Sequence, residues 1–459
     1  MLDVLLIAVH APHPANVLAG LAARAAPLGV ACLGAALARA NFRVSLIDMN
    51  APPCPSDWVV RYAQANRPRL IGLSCATESA GNALRLARRL RHAIPDSVLV
   101  TGGPHWSFLP EFALSSGLFD AVALREADET VVEMAAAICG GGDLAAVRGI
   151  VLFVPGQNGS VLRTPARALV ENLDSLPFPA RDLFVPFRLS NQATVLTGRG
   201  CPGRCVFCTA AAMSGGRRRV RSAQSVIAEL VELQERGVDS VFFVDDTITA
   251  DPSRLAALLD LIEAERLQLK WACESRVDAA APKLLSRMSE LGCVSMQFGV
   301  ESGCQELLDA LGKGTSLGQV ECAVAAASAA GITPVCSFII GHPWDTEATI
   351  AASLDFALGL QRRYLVRCGF ALLVPFPGTR LWRQGRKLGL HRLTGDFDLY
   401  TMHTPVCATT VFDAGRLRAR QFEVALNLVS ETSEEMAAML PQGVFSSANG
   451  KPSSWREWF

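Results

Sequence analysis

Gly200-Cys201-Pro202-Gly203-Arg204-Cys205-Val206-Phe207-Cys208 follows an apolar run from Ala193 to Leu196 and a first glycine at Gly198. Three thiols at the spacing C-x3-C-x2-C on one loop are soft ligands, suited to iron–sulfur clusters or to zinc. A structural zinc ion closes its tetrahedron with four protein ligands, often as paired C-x2-C or Cys/His sets. Here no further cysteine follows before Cys273, and the next histidine is His342. Three ligands with an open position suit a [4Fe–4S] cluster that keeps one iron free; structural zinc is the competing reading.

Downstream of this loop, strand-like and helix-like runs alternate. Strands are expected at 193–197, 240–245, 268–273, 294–300, 333–340 and 365–373. Helices are expected near 222–236, 252–266, 281–291, 316–330, 346–359 and 379–388. Repeated β/α units close most simply as a partial (β/α)6 barrel, whose active groups gather at the carboxyl ends of the strands. Upstream, shorter runs alternate as well: strands at Val4–Val9, Arg43–Asp48, Leu70–Ser74, Val98–Thr101 and Ala121–Leu124, with helices near Leu28–Arg39, Ala80–Arg91 and Thr130–Cys139. That alternation predicts a parallel sheet covered on both faces, with ligands beyond the strands' carboxyl ends. The expected rim carries His10–His13, Ser74–Thr77 and Gly102–His105. Residues 148–163 read as a hairpin turning at Asn158-Gly159, and the proline-punctuated 164–190 as a linker.

The spacing of Cys201, Cys205 and Cys208, with aromatic Phe207 before the last thiol, resembles the signature of the radical S-adenosylmethionine (SAM) superfamily. The resemblance implies that SAM chelates the open iron through its amino and carboxylate groups. It also implies that an electron from the cluster splits the sulfonium, giving a 5′-deoxyadenosyl radical that takes hydrogen from substrate. Motifs at successive strand ends agree with it. Val244-Asp245-Asp246-Thr247 stands where the family contacts the SAM amino group, and a helix cap is the alternative role for either acid. Glu274-Ser275-Arg276-Val277-Asp278 offers Arg276 for the SAM carboxylate, since a guanidinium grips a carboxylate bidentately; a salt bridge inside the barrel is the plainer role. Gly299-Val300-Glu301-Ser302-Gly303 offers Glu301 to the ribose or amino group. In Ile340-Gly341-His342-Pro343, Gly341 lets backbone meet the adenine and His342 faces substrate. Phe207 is expected near that adenine or in the core. Pro375-Phe376-Pro377-Gly378-Thr379 is a turn leading into a helix. Cys273, Cys293, Cys304, Cys336, Cys368 and Cys407 lack paired spacing, so no auxiliary cluster is expected. Cys336 and Cys368, on barrel strands, are either hydrogen donors to a substrate radical or buried small hydrophobes.

Most of residues 1–140 resembles the cobalamin-binding domain found ahead of many radical SAM domains. The resemblance rests on Pro27-Leu28-Gly29-Val30 through Val44-Ser45-Leu46-Ile47-Asp48, on Ser74, and on Thr101-Gly102-Gly103-Pro104-His105. It assigns Ser74, Gly102 and Gly103 to the cofactor, because a nucleotide tail must approach bare backbone closely. The Asp-x-His-x-x-Gly loop that supplies a histidine to cobalt is absent after the first strand. Trp106, directly after Gly-Gly-Pro-His, is bulky enough to fill the nucleotide groove, so cobalamin stays an open question at this stage.

The fold class is therefore α/β, with four expected parts. A Rossmann-like, cobalamin-binding-type domain covers 1–147, a hairpin and linker 148–190, a radical SAM partial barrel 191–390 and a short helical extension 391–459. Lysines plus arginines equal aspartates plus glutamates at 43 each, so no global charge draws the chain to nucleic acid or to an anionic membrane. Arg217-Arg218-Arg219-Val220-Arg221 is the only dense basic run and reads as a solvated loop or barrel surface. The fourteen cysteines are scattered through apolar segments, as free thiols are in a reducing compartment. With no leader or membrane span recognised, the expected location is cytoplasmic. A flavodoxin- or ferredoxin-type electron donor and a small-molecule substrate are the expected partners. Two activities stand nearly level: cobalamin-dependent C-methylation, and a cobalamin-free radical dehydration or rearrangement resembling the diol dehydratase of the apramycin pathway. A non-enzymatic cobalamin or iron–sulfur sensor is a third, weaker reading.

Overall fold

The computed structural model describes residues 2–11, 25–51, 54–153, 160–186 and 190–430. The first sheet carries β1 (Val4–Ala8), β2 (Val44–Asp48), β3 (Leu70–Ser74), β4 (Val98–Gly102), β5 (Ala121–Ala123), β6 (Ile150–Phe153) and β7 (Val161–Arg163) in the order β2-β1-β3-β4-β5-β6-β7. Its first five strands are parallel and the last two antiparallel. A parallel strand buried on both faces reads as a continuous apolar run, and every residue of β1 is indeed buried. Helices Leu28–Arg39 and Asp128–Gly140 cover one face, where Leu6, Val30, Leu37, Leu46 and Met134 pack together. Helices Ser56–Asn66 and Ala80–Ala93 lie on the other, over Leu5, Ile7, Leu73, Leu99 and Phe119.

Two expectations change here. The hairpin is not part of a separate linker: it pairs with β5 and extends the first sheet. Its turn at Asn158-Gly159 lies outside the described residues. Helix Ser56–Asn66 follows β2 in a stretch where no helix was expected, because Trp58, Val59, Val60 and Tyr62 are its only large apolar side chains and the rest are polar residues or alanine.

The second sheet is wholly parallel. β8 (Gln192–Val195), β11 (Ser240–Phe243), β12 (Lys270–Ser275), β13 (Cys293–Glu301), β14 (Thr333–Ile340) and β15 (Arg367–Leu372) run β15-β14-β13-β12-β11-β8, the expected partial barrel. Two short strands, β9 (Gly198–Arg199) and β10 (Arg219–Val220), form an antiparallel ribbon flanking the cysteine loop. Period-two alternation divides the strands. Phe243, Cys273, Met296, Phe298, Cys336 and Phe338 point outward into one core with the helices, leaving Phe242, Ala272, Glu274 and Gln297 on the lumen side. Cys336 and its register neighbour Cys368 therefore pack under helices, so neither reaches a substrate radical in the lumen. Helix Ala414–Ser430 returns to cover β15.

Candidate functional site

The cysteine loop is held by backbone geometry. Gly200 has φ +95° and lies so close to the Arg217 carbonyl and to Ser214 that a Cβ would collide with both. Only glycine turns the chain there at low cost. Cys201 and Cys205 are half-buried, and the Gly203 amide donates to Cys201 Sγ at 3.4 Å and the Ala210 amide to Cys208 Sγ at 3.4 Å. Such N–H···S contacts favour thiolate over thiol and tune a bound cluster. Although Cys208 counts as exposed, its surroundings desolvate the sulfur and push its thiol up to about 11; burial raises Cys205 as well. Iron must therefore displace protons on binding.

Among the described residues no set of three His, Cys, Asp or Glu side chains converges on a single ion. A cubane asks instead for three thiols spread over three different irons, and the C-x3-C-x2-C loop supplies three.

Around the loop, the strand ends bring together charged groups that differ from one another in their partners. Asp246 has an exposed side chain beside the Gly200 amide, and partial desolvation by the surrounding loops raises its carboxyl. Asp245 is buried and accepts from the Thr197 amide at 2.8 Å and the Thr197 hydroxyl at 2.6 Å. The Thr197 carbonyl and hydroxyl in turn take Arg254. Asp245 thus holds the barrel's first loop from a buried position with each oxygen engaged by Thr197, a correction to its expected role. Arg276 is engaged as well. Its Nε and Nη2 engage Asp278 at 3.0 and 2.8 Å, and Nη2 also donates to the Lys313 carbonyl at 3.0 Å, so the salt bridge named as its plainer role is present and Nη1 is the nitrogen left for a ligand.

Glu301 sits where β13 slips register against β14, with φ +73°, a strained conformation for a non-glycine. Its carboxylate takes Lys313 Nζ at 2.7 Å, and both side chains are buried. Lys313 was missed in the sequence. It stands between Gly312 and Gly314, both at φ +69°, and that glycine-flanked lysine was the available signal. Glu274, in the lumen, has no hydrogen-bond partner among the described residues; burial, then the charges of Asp246 and Glu301, push its carboxyl up to about 7.

Gly341 has φ +92°, and the Asp345 carboxylate accepts from both the Gly341 and His342 amides at 2.8 Å. That turn folds His342 inward. The imidazole is wholly buried with neither nitrogen partnered among the described residues, and burial lowers its pKa to about 3. His342 is a core residue and does not face substrate. Phe207 is half-buried among Leu307, Leu311, Leu373 and Leu381, with its ring 6.0 Å from that of His342.

In the first sheet, Ser74 and Gly102 are register neighbours at the carboxyl ends of β3 and β4, and Gly103 follows at φ +91°. A Cβ on Gly103 would lie 2.6 Å from the Cys75 carbonyl, and one on Gly102 3.2 Å from the Ala123 carbonyl. Gly103 is demanded by this packing, and Gly102 leaves room for a side chain only if the Ala123 backbone gives way. The rim they leave is neutral, backbone with one hydroxyl, and suits a nucleotide tail. Trp106 does not fill it: the indole is wholly buried against Phe119 and the inner face of the sheet. His105 lies beside it, 3.2 Å from Thr77 Oγ1 and edge-on to Phe397 of the C-terminal segment, which sets it apart from a loop histidine bonded to backbone. His13 lies outside the described residues.

The two rims face each other. Phe108, after β4, packs on Gly378, after β15. Arg199, one residue before the loop, pairs with Asp128 at 2.7 and 3.0 Å, and its ribbon partner Arg219 pairs with Glu126. The basic run is therefore not a solvated loop: Arg219 and Arg221 are buried, Arg221 against Glu229.

The Radical SAM superfamily model matches residues 195–357, and the B12 binding domain model residues 16–135. An uncharacterized methyltransferase of Pyrococcus horikoshii is 33% identical over 83% of this chain and 82% of its own length. The chain belongs to the cobalamin-dependent radical SAM methyltransferase family. The hopanoid C-3 methylase of Methylococcus capsulatus is 25% identical over 84% of this chain and 73% of its own. The fold matches the radical SAM methyltransferase TsrM of Kitasatospora setae, solved with cobalamin and a [4Fe-4S] cluster, at TM-score 0.75 and 19% identity over 95% of this chain and 92% of that one. The protein is accordingly an enzyme whose cofactors are SAM, a [4Fe–4S] cluster and cobalamin. Among the described residues no helix is long and apolar enough to cross a membrane.

Proposed function

We propose that this enzyme transfers a methyl group to a carbon of a small natural-product molecule held between the two rims. The meeting of the rims carries the reading: the neutral edge at Ser74, Gly102 and Gly103 is fastened against the cysteine loop, so ligands on the two domains are apposed. When bound, the cluster supplies the electron that cleaves SAM, and cobalamin carries the methyl group.

Cys201, Cys205 and Cys208 hold the cluster in this reading. Asp246 accepts the SAM ammonium, being the acid at that strand end whose side chain is exposed. The Glu301–Lys313 pair and the Gly341 backbone border the nucleoside, with Phe207 supporting it from the core. Arg276 acts indirectly, fixing the Lys313 loop through its carbonyl. Glu274 is a further cofactor contact in this reading, as the lumen carboxylate beside Asp246. A one-electron donor of flavodoxin or ferredoxin type completes the system, and the cytoplasm is the compartment that keeps so many thiols reduced.

Radical dehydration loses ground. Trp106, which argued for it, is a core side chain, and the relatives include methyltransferases. The test is anaerobic reconstitution with iron, sulfide and hydroxocobalamin, followed by turnover with methyl-deuterated SAM. Stoichiometric cobalt and deuterium in a methylated product support methyl transfer. Iron without cobalt, together with 5′-deoxyadenosine and loss of water from a diol, would establish the dehydratase instead.

A further inference from the structure

A hydrogen-bonded chain leads from the first rim to the cysteine loop. Ser107 donates to the Gly103 carbonyl at 2.8 Å and accepts from the Arg125 amide at 2.7 Å. Arg125 is a non-glycine at φ +56°, in the loop that follows β5. Glu126 follows in the same loop and Asp128 opens helix Asp128–Gly140, and they grip Arg219 and Arg199. Asp128 and Arg219 are buried and Arg199 is half-buried, while Arg125, whose amide makes the Ser107 link, lies at the surface. Arg199 is two residues from Cys201.

A buried bidentate pair gives fixed geometry as well as energy. Breaking one end leaves an uncompensated charge, so the pair is effectively all-or-none. A ligand that orders the Gly102–Gly103 edge therefore orders the Arg125 loop, and with it the ribbon carrying Arg199. Local order in one place lowers the cost of order in the other.

We propose that Ser107, Asp128 and Arg199 are positioning residues that couple the two cofactor sites, so that occupancy of the cobalamin rim tightens the cluster loop, and the reverse. The inference rests on the cofactor assignment above. It predicts a reciprocal coupling between distinct sites.

The experiment measures cluster loss to an anaerobic chelator from the reconstituted full chain, followed by the iron–sulfur absorption, with and without bound hydroxocobalamin. In the native protein cobalamin is expected to slow the loss by about 5- to 30-fold, the lower range of measured couplings. Asp128→Asn removes the charge but keeps the shape; the factor should fall below about 2-fold while each cofactor still binds alone. Ser107→Ala, at the opposite end of the chain, should reduce it likewise. Arg217→Gln breaks only the exposed Arg217–Glu171 pair of the same basic run and should leave the factor unchanged.

Native-like coupling in Asp128→Asn would falsify the proposal. So would absence of coupling in the native protein with both cofactors bound, or an equal loss in Arg217→Gln. Failure to take up cobalamin at all would instead overturn the cofactor reading, and cobalt content separates the two results. A fold lost in Asp128→Asn would show in its circular dichroism; Ser107→Ala then decides alone.

Discussion

The two parallel sheets end in rims of opposite character. The first offers backbone, glycine and one hydroxyl, with its aromatic side chains turned down into the core. The second gathers three thiols, exposed Asp246, lumen Glu274 and a buried Glu301–Lys313 pair. One rim is shaped by what had to be left out, so that a large neutral tail can approach. The other is shaped by what had to be put in, because a cluster and a zwitterionic sulfonium need charge placed around them. Similar α/β architecture thus serves two chemistries through side chains at strand ends alone.

The largest break in this comparison comes at the thiols. Cys205→Ala should reduce reconstituted iron to background and abolish reductive SAM cleavage, read as 5′-deoxyadenosine, while cobalamin uptake persists on the other rim. Survival of a full cluster would remove the loop from the site.

Next comes the ion pair. Lys313→Met strands Glu301 as a buried lone charge and should cost about 3–5 kcal/mol in denaturant unfolding. The double variant with Glu301→Gln should recover most of it, because no charge is then left unpaired. An additive loss would show that the two side chains act separately.

Glu274 gives a pH signature. Its carboxyl is raised to about 7 from an ordinary 4.5, so between those values the folded protein holds a proton that the unfolded chain has released. Stability then falls as pH rises from 4.5 to 7 and levels above it. Glu274→Gln should flatten that slope and be the more stable protein at pH 8, by on the order of 3 kcal/mol without cofactors. An unchanged slope would mean the carboxylate is solvated or paired.

The smallest effects sharpen the neutral rim. Gly103→Ala meets both the positive φ and the Cys75 carbonyl and should cost roughly 1–3 kcal/mol, with weaker cobalamin retention and an intact cluster. Trp106→Phe should cost roughly 1 kcal/mol and leave cobalamin retention alone, since the indole lies in the core. Tighter retention in Trp106→Phe would restore the indole to the groove.

The sequence alone determined the thiol loop, the alternation of strands and helices, and the glycines of both rims. Those are local signals: a period of two or 3.6 residues, a spacing of three cysteines, a residue without Cβ where the backbone must bend. Barrel strands such as Thr333–Ile340 were legible to the residue, since a buried parallel strand is a continuous apolar run. Tertiary structure decided which charges are spent and which remain free. Asp245 and Asp246 are adjacent and alike in sequence, yet one is consumed by Thr197 and the other is exposed. Arg276 is taken by Asp278, His342 and Trp106 are folded into cores, and Arg199 meets Asp128 across 71 residues. A charge pairs with whatever lies within a few ångströms when the chain has closed, and that distance is a property of the packed fold that no local pattern records.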